Sequence, residues 1–369
     1  MSKKNKYSTI DYGSYLGLDK LLDAQKLRSE DLQENPAHDE MLFIITHQSY
    51  ELWFKQIIHE LDSVIRVFKS NRVDEKNLGT SIARLERVSK VQSLLLDHLA
   101  ILETMTPLDF LDFRSYLFPA SGFQSFQFRK IENLLGLDEA SRITYGGYHY
   151  ASPFTEVQQK ELLEIKESGT LFDVIEDWLE RTPFLQFKDF NFLKYYKKAV
   201  EKMIAKEQEA IKMSSYLSEK EIEMRLRMLG TTDTYFESIL NPKVHQQMMD
   251  EGKFRLSYKA SLAALLINLY RDEPILHPPF KLLMCLVDID SNMTSWRYRH
   301  AQMVLRMLGR KVGTGGSSGH DYLKSTGDSH HIFKDLHNIS TLLIPRSDLP
   351  ELPPALKEQL SFTYSRSVI

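Results

Sequence analysis

A histidine set among apolar side chains at helical spacing is the feature of this sequence closest to chemistry. Between Phe280 and Leu308, the residues Leu286, Ile289, Met293, Trp296, His300, Met303 and Met307 recur alternately three and four positions apart. On a helix they share one face. Asp288, Ser295, Arg299 and Arg306 fall off that face, which leaves His300 as the one ionisable group on an apolar seam. Two readings follow. His300 is a core histidine satisfied by a backbone carbonyl, or it is a neutral imidazole on a rigid support, walled by Met and Trp, of the kind that serves as an axial ligand to haem iron. Spacing alone does not separate them.

Three further segments carry reactive or binding side chains. In Phe43-Ile-Ile-Thr-His47-Gln-Ser-Tyr50-Glu51-Leu-Trp53, Phe43 and His47 lie one turn apart, with Tyr50 and Phe54 continuing the stripe. This is either core packing or the wall of a pocket. His47 with Glu51 has the i, i+4 spacing of a chelate, but the second histidine of an HExxH zinc motif is missing and the metal signal is weak. From Phe110 to Arg129, seven aromatic rings surround Arg114 and Arg129. A guanidinium in such a setting needs an anion, which is either an internal carboxylate or the carboxylate of a ligand. Pro119 to Gly122 breaks the helix and puts Ser121 in a turn. Directly after the His300 helix, five glycines fall between Gly309 and Gly319, with Thr314 among them. That stretch is a flexible linker or a mobile lid over a small ligand. It lacks the Lys-Ser or Lys-Thr of a phosphate loop. His330, His331 and His337 have no cysteine or HxxxH partner and read as surface residues.

The elements that must hold these residues are helical. Asp39 to Phe68 is apolar at helical spacing without Gly or Pro, Ser81 to Leu102 repeats the pattern up to Pro107, and Ala260 to Tyr270 ends at Pro274 and Pro278-Pro279. Period-2 alternation is scarce. The expected fold is all-α, a single helical-bundle domain over residues 1–369. Residues 190–253, rich in Lys and Glu and holding six methionines, read as a peripheral inserted helical subdomain. The stretch Pro345 to Pro354 reads as extended surface chain.

Composition removes whole classes of function. With 42% hydrophobic and 26% charged residues, the 369-residue chain has globular composition. A net charge of -3 gives no reason to expect nucleic acid or an anionic membrane as partner. The apolar run Ala260 to Tyr270 is about half of the roughly 20 residues a membrane-spanning helix needs. The basic start Met1 to Lys6 leads into no apolar stretch, so no secretory signal is expected. The single cysteine, Cys285, excludes an internal disulfide and a CxxCH haem attachment, and a cytoplasmic location fits best.

Four long stretches together resemble the tryptophan 2,3-dioxygenase family: YGSYLGLDKLLDAQ, HDEMLFIITHQSYELWFKQI, LETMTPLDFLDFRSYLFPASGFQSFQFR and DIDSNMTSWRYRHAQMVLRMLGRKVGTGGSSG. With weaker similarity around WLERTPFL, the resemblance covers nearly the whole chain. It implies a haem b dioxygenase that takes L-tryptophan and O2 to N-formyl-L-kynurenine. It makes His300 the proximal haem ligand with Trp296 beside it, and His47 the distal-side histidine facing the indole N–H. Phe43 and Phe110 become walls of the indole pocket. Arg114 becomes the partner of the substrate carboxylate, Thr314 a contact to the amino-acid end, and Ser121 a neighbour of the haem edge. It also implies a homotetramer in which Tyr12 and Tyr15 reach a neighbouring pocket. The sequence departs from the family pattern at Lys324, where arginine is usual, and in a shortened turn after it.

Overall fold

The structure, a computed structural model, describes residues 9–32, 35–143, 149–309, 311 and 319–361. The helices run in the order α1 (Tyr12–Leu16), α2 (Leu18–Leu22), α3 (Arg28–Leu32), α4 (Asp39–Phe68), α5 (Glu75–Leu102), α6 (Pro107–Arg114), α7 (Phe126–Leu135), α8 (Glu156–Glu167) and α9 (Leu171–Glu180). They continue with α10 (Phe192–Met213), α11 (Glu219–Leu240), α12 (Pro242–Asp250), α13 (Tyr258–Leu269), α14 (His277–Leu308), α15 (Gly319–Ser329), α16 (Lys334–Asn338) and α17 (Pro354–Leu360). A two-residue antiparallel pair, β1 (Gln186–Phe187) with β2 (Phe190–Asn191), is the sheet among the described residues. The all-α expectation holds.

Three long helices frame the molecule. Both α4 and α14 pack along α5, and both also touch α6. Helix α4 has the expected bounds, with Asp39 and Glu40 in its first turn and Arg66 in its last, each placed favourably for the helix dipole. Its buried stripe runs through Tyr50, Phe54, Ile57, Leu61, Val64 and Phe68, with Leu61 and Val64 fully sealed. Towards the N-terminus the same stripe reaches His47 and Phe43, which are no longer sealed. Helix α14 behaves likewise. Leu282, Leu286 and Ile289 are fully buried, and the stripe opens at Trp296 and His300 before closing again at Met303 and Met307. Each long helix thus carries its histidine where an apolar stripe leaves the core.

Several boundaries differ from expectation for local reasons. Helix α5 begins at Glu75, six residues before Ser81, because the Asp74 side chain caps it by accepting from Asn77 N at 2.8 Å. Pro278 and Pro279 do not close the preceding helix. They sit in the first turn of α14, where a missing N–H costs nothing. Within residues 190–253, α10 and α11 pack on each other, and their bases join the core through Tyr196, Val200, Phe236 and Ile239. Their far ends expose Met213, Tyr216, Met224 and Met228. The stretch from Pro345 onward is more than extended surface chain. A 3₁₀ turn, Arg346–Asp348, leads into α17, with Leu352, Leu356 and Leu360 buried. Among the described residues, no helix is long and apolar enough to cross a membrane.

Candidate active site

Phe43 and His47 pack on each other one turn apart on α4. Their ring centroids are 4.1 Å apart, and Phe43 meets Phe110 at 5.8 Å and Phe113 at 5.6 Å. Phe113 is fully buried and anchors the group from α6. That helix starts at a Thr106/Asp109 capping box with Pro107 in its first turn, and ends at Arg114, which is half-buried. Phe110 and Arg114 are four residues apart and so lie on the same side of α6.

The polarity of His47 follows from its contacts. Its Nδ1 lies 2.7 Å from the Phe43 carbonyl oxygen. A carbonyl only accepts, so Nδ1 carries the proton and Nε2 is left as the acceptor of the neutral ring. Burial lowers the pKa of His47, outweighing the Phe43 carbonyl and Glu51, which raise it. The ring is thus neutral at pH 7 and presents a lone pair. Its side chain is exposed, at the point where the apolar stripe of α4 leaves the core.

His300 is also neutral. Burial, followed by repulsion from the like charge that His47 carries when protonated, pushes its pKa down to about 4. The His47 contribution means that the two imidazoles are near enough to repel when protonated. His300 Nδ1 is buried and has no hydrogen-bond partner among the described residues. Trp296 packs against the imidazole at 4.9 Å, and Phe128 packs on Trp296 at 5.2 Å. A neutral imidazole packed on an indole where an apolar stripe opens suits a haem iron ligand. Among the described residues no group of three or more His, Cys, Asp or Glu is arranged to hold a metal ion.

The chelate reading of His47 with Glu51 is overturned. Glu51 accepts from Ser125 Oγ at 2.6 Å and Gln127 Nε2 at 2.8 Å. Its role is to fasten the start of α7 to α4. Ser121 does stand in a turn: it caps a 3₁₀ helix, Gly122–Gln124, four residues before Ser125. Tyr12 and Tyr15 are on α1 and expose most of their surface, 75% and 73%. Thr314 lies outside the described residues.

Of the two arginines set among aromatic rings, Arg129 has an internal partner. Glu132, fully buried, accepts from Arg129 at 2.8 Å, Arg142 at 3.1 Å and Arg297 at 2.8 Å. His330 Nδ1 lies 3.7 Å from the same carboxylate, and Arg297 also donates to the His330 carbonyl at 3.2 Å. His330 is therefore not a surface histidine: only 2% of it is exposed, because it completes this ionic cluster. His331 and His337 are half-exposed and flank Asp290, 1% exposed, at 3.7 and 3.5 Å. Asp290 and Arg297 both belong to α14, and the spacing pattern that found His300 passes over them. Their one detectable signal is that they repeat at seven residues, forming a second face of the same helix.

Burial would raise the pKa of Glu132, but Arg129, the neighbouring His330, and then Arg142 and Arg297 hold it well below 4.5. A carboxylate depressed in the folded state contributes stability above its unfolded pKa, and that contribution is lost as pH falls through the folded value. Glu132→Gln is expected to cost roughly 3–5 kcal/mol at pH 7, by leaving three arginines uncompensated. The gap to wild type, read from denaturant melts between pH 7 and 3, narrows only below about pH 4.5. A gap independent of pH would mean that the pKa of Glu132 is the same in the folded and unfolded chain, and that the arginines do not depress it.

The fold and site define an all-helical protein in which an aromatic cluster of Phe43, Phe110 and Phe113 adjoins His47, and a second neutral histidine, His300, is packed on Trp296. The profile of the family described as tryptophan 2,3-dioxygenase matches residues 2–343. A tryptophan 2,3-dioxygenase of Bdellovibrio bacteriovorus is 49% identical over 97% of this chain and 100% of its own length. Those of Dictyostelium discoideum and Mus musculus are 45% and 46% identical over 96% and 95% of this chain, and 89% and 86% of their own lengths. The chain belongs to the tryptophan 2,3-dioxygenase family.

Proposed function

We propose that this chain is a haem b dioxygenase that inserts both atoms of O2 across the indole C2–C3 bond of L-tryptophan, giving N-formyl-L-kynurenine. The observation that carries the reading is His300: a neutral imidazole packed on Trp296 where the apolar stripe of α14 opens, with its pKa lowered further by a second histidine, His47. Haem iron, when bound, supplies the activation of O2, and the electron-rich indole double bond needs no nucleophile from the protein. The protein's work is placement.

His300 would hold the cofactor, with Trp296 packed on the ligand and Ser121 near the cofactor edge. Phe43 and Phe110 would bracket the indole. His47 Nε2, the acceptor left by the Nδ1 contact to Phe43, would receive the indole N–H, and its lowered pKa keeps it an acceptor at pH 7. Arg114, at the end of α6 beyond Phe110, would take the substrate carboxylate through two parallel hydrogen bonds. Thr314 would meet the amino-acid end. The spectrum of the ferrous protein with and without L-tryptophan tests the whole reading. A histidine-ligated haem spectrum that tryptophan perturbs is expected, and a haem-free or tryptophan-insensitive protein would refute it.

His47→Ala should keep haem and lose activity on the order of tenfold, the scale of one hydrogen bond to a positioned group. Wild type should discriminate against 1-methyltryptophan, and the variant should lose that discrimination. Equal discrimination in both proteins would remove the N–H contact.

The homotetramer is part of the same proposal, as is a cytoplasmic location. Ile10, Tyr12, Tyr15 and Leu22 expose 63–75% of their surface on a short segment, an apolar face suited to a second copy. Residues 190–253 are proposed as a peripheral insertion without a catalytic role, within one domain spanning 1–369. Deleting residues 1–16 should weaken tryptophan binding and loosen the tetramer. Sedimentation and substrate titration of the deletion variant check this, and an unchanged tetramer with unchanged affinity would separate the tyrosines from the pocket.

A further inference from the structure

The helices that carry His47 and His300 are bridged by one phenol. Tyr50 lies one turn after His47 on α4 and is buried. Its hydroxyl donates to the Leu95 carbonyl of α5 at 2.5 Å and accepts the indole Nε1–H of Trp296 at 3.4 Å. Burial pushes the phenol up to about 12, so it remains a donor throughout the neutral range. Phe54 and His98 pack on the Tyr50 ring at 5.8 and 5.9 Å, and Phe128 covers Trp296. Trp296 in turn rests on the His300 imidazole, tilted by 49°.

What orients the His300 ring is the question this chain of contacts answers. A histidine χ2 is a broad torsion, so rotamer preference alone does not fix the plane of the ring. Metal-ligating histidines ordinarily gain that constraint by donating their second nitrogen to a carboxylate or carbonyl. Here His300 Nδ1 finds no such protein group among the described residues. The neighbour that limits rotation is Trp296, and the polar contact that limits Trp296 is the Tyr50 hydroxyl. We propose that Tyr50 is a positioning residue: by holding the Trp296 indole N–H against α5 it sets the plane of Trp296, and through it the orientation of the His300 imidazole. This rests on His300 being the axial ligand. It gives α4 two roles one turn apart, substrate-facing at His47 and ligand-orienting at Tyr50.

The test compares holoproteins of wild type, Tyr50→Phe, Trp296→Phe and the double variant. The readouts are the iron–histidine stretching frequency of the ferrous protein by resonance Raman and the rate of haem transfer to excess apomyoglobin. Thermal melting of the haem-free proteins controls for the fold, which phenylalanine preserves by keeping the ring. Tyr50→Phe is expected to shift the stretch and to speed haem loss about fivefold, the scale of one neutral hydrogen bond. In the Trp296→Phe background the same change should add nothing, because the pathway is already cut. An unaltered stretch and loss rate in Tyr50→Phe, or effects that add in the double variant, overturns the proposal. A wild type without a histidine-ligated spectrum would instead bring down the ligand assignment, and this inference with it.

Discussion

His300→Ala is expected to purify as a folded helical protein that no longer holds haem. The expected outcome is a far-ultraviolet circular dichroism spectrum like that of wild type and a ratio of Soret to protein absorbance near zero. Haem affinity should fall by more than about 100-fold, beyond the effect usual for residues that merely support a ligand. The fold survives because the substitution falls where the α14 stripe is open. The fully sealed Leu282, Leu286 and Ile289, two or more turns away, carry the packing. Exogenous imidazole fits the space left by the side chain and should restore part of the absorbance. A variant that kept a full complement of haem with an unchanged ferrous spectrum would show that another residue ligates the iron.

Arg114 decides between an enzyme for amino acids and one for indoleamines at large. Arg114→Lys keeps the charge and loses the fork, so catalysis on L-tryptophan should drop substantially. Arg114→Ala should cost on the order of 2–5 kcal/mol in kcat/KM, part of it from a carboxylate left unpaired. Tryptamine, lacking the carboxylate, should be a poor substrate for wild type and lose almost nothing further in either variant. The measurement is a two-by-two comparison of kcat/KM, substrate against variant. Equal losses on both substrates would make Arg114 a support of the fold.

The sequence displays helices better than their ends, and apolar faces better than ionic ones. The stripes of α4 and α14 are legible because burial of many equivalent methylenes leaves a period, and that period passes through Phe43, His47, Trp296 and His300. The α5 start at Asp74 is not, because one capping side chain six residues before the pattern decides it. For Arg114 and Arg129 the same aromatic surroundings left an internal or an external anion open. Arg129 is settled by Glu132, three residues along α7 and on the same face. His330 was misread because its partners are 33 and about 200 residues away in the chain, at Arg297 and Glu132, and no local spacing encodes such a meeting. The family resemblance, and not periodicity, raised His300 above an ordinary core histidine.

The two buried charges of α14 bear on how accurately its histidine can be placed. An apolar stripe is nearly degenerate under sliding. Shift this helix by three or four residues and Leu282, Leu286, Ile289 and Met293 largely exchange places, burying similar area. Asp290 and Arg297 admit no such exchange. They carry opposite signs, stand seven residues apart, and meet different partners: Asp290 accepts from Ile332 N at 2.9 Å, and Arg297 is held by Glu132. Any slip breaks both at once and strands buried charges, at a cost of several kcal/mol each. The helix is thereby keyed like a two-pin plug, and the height and bearing of His300 are set by electrostatics on a buried face beside the apolar stripe.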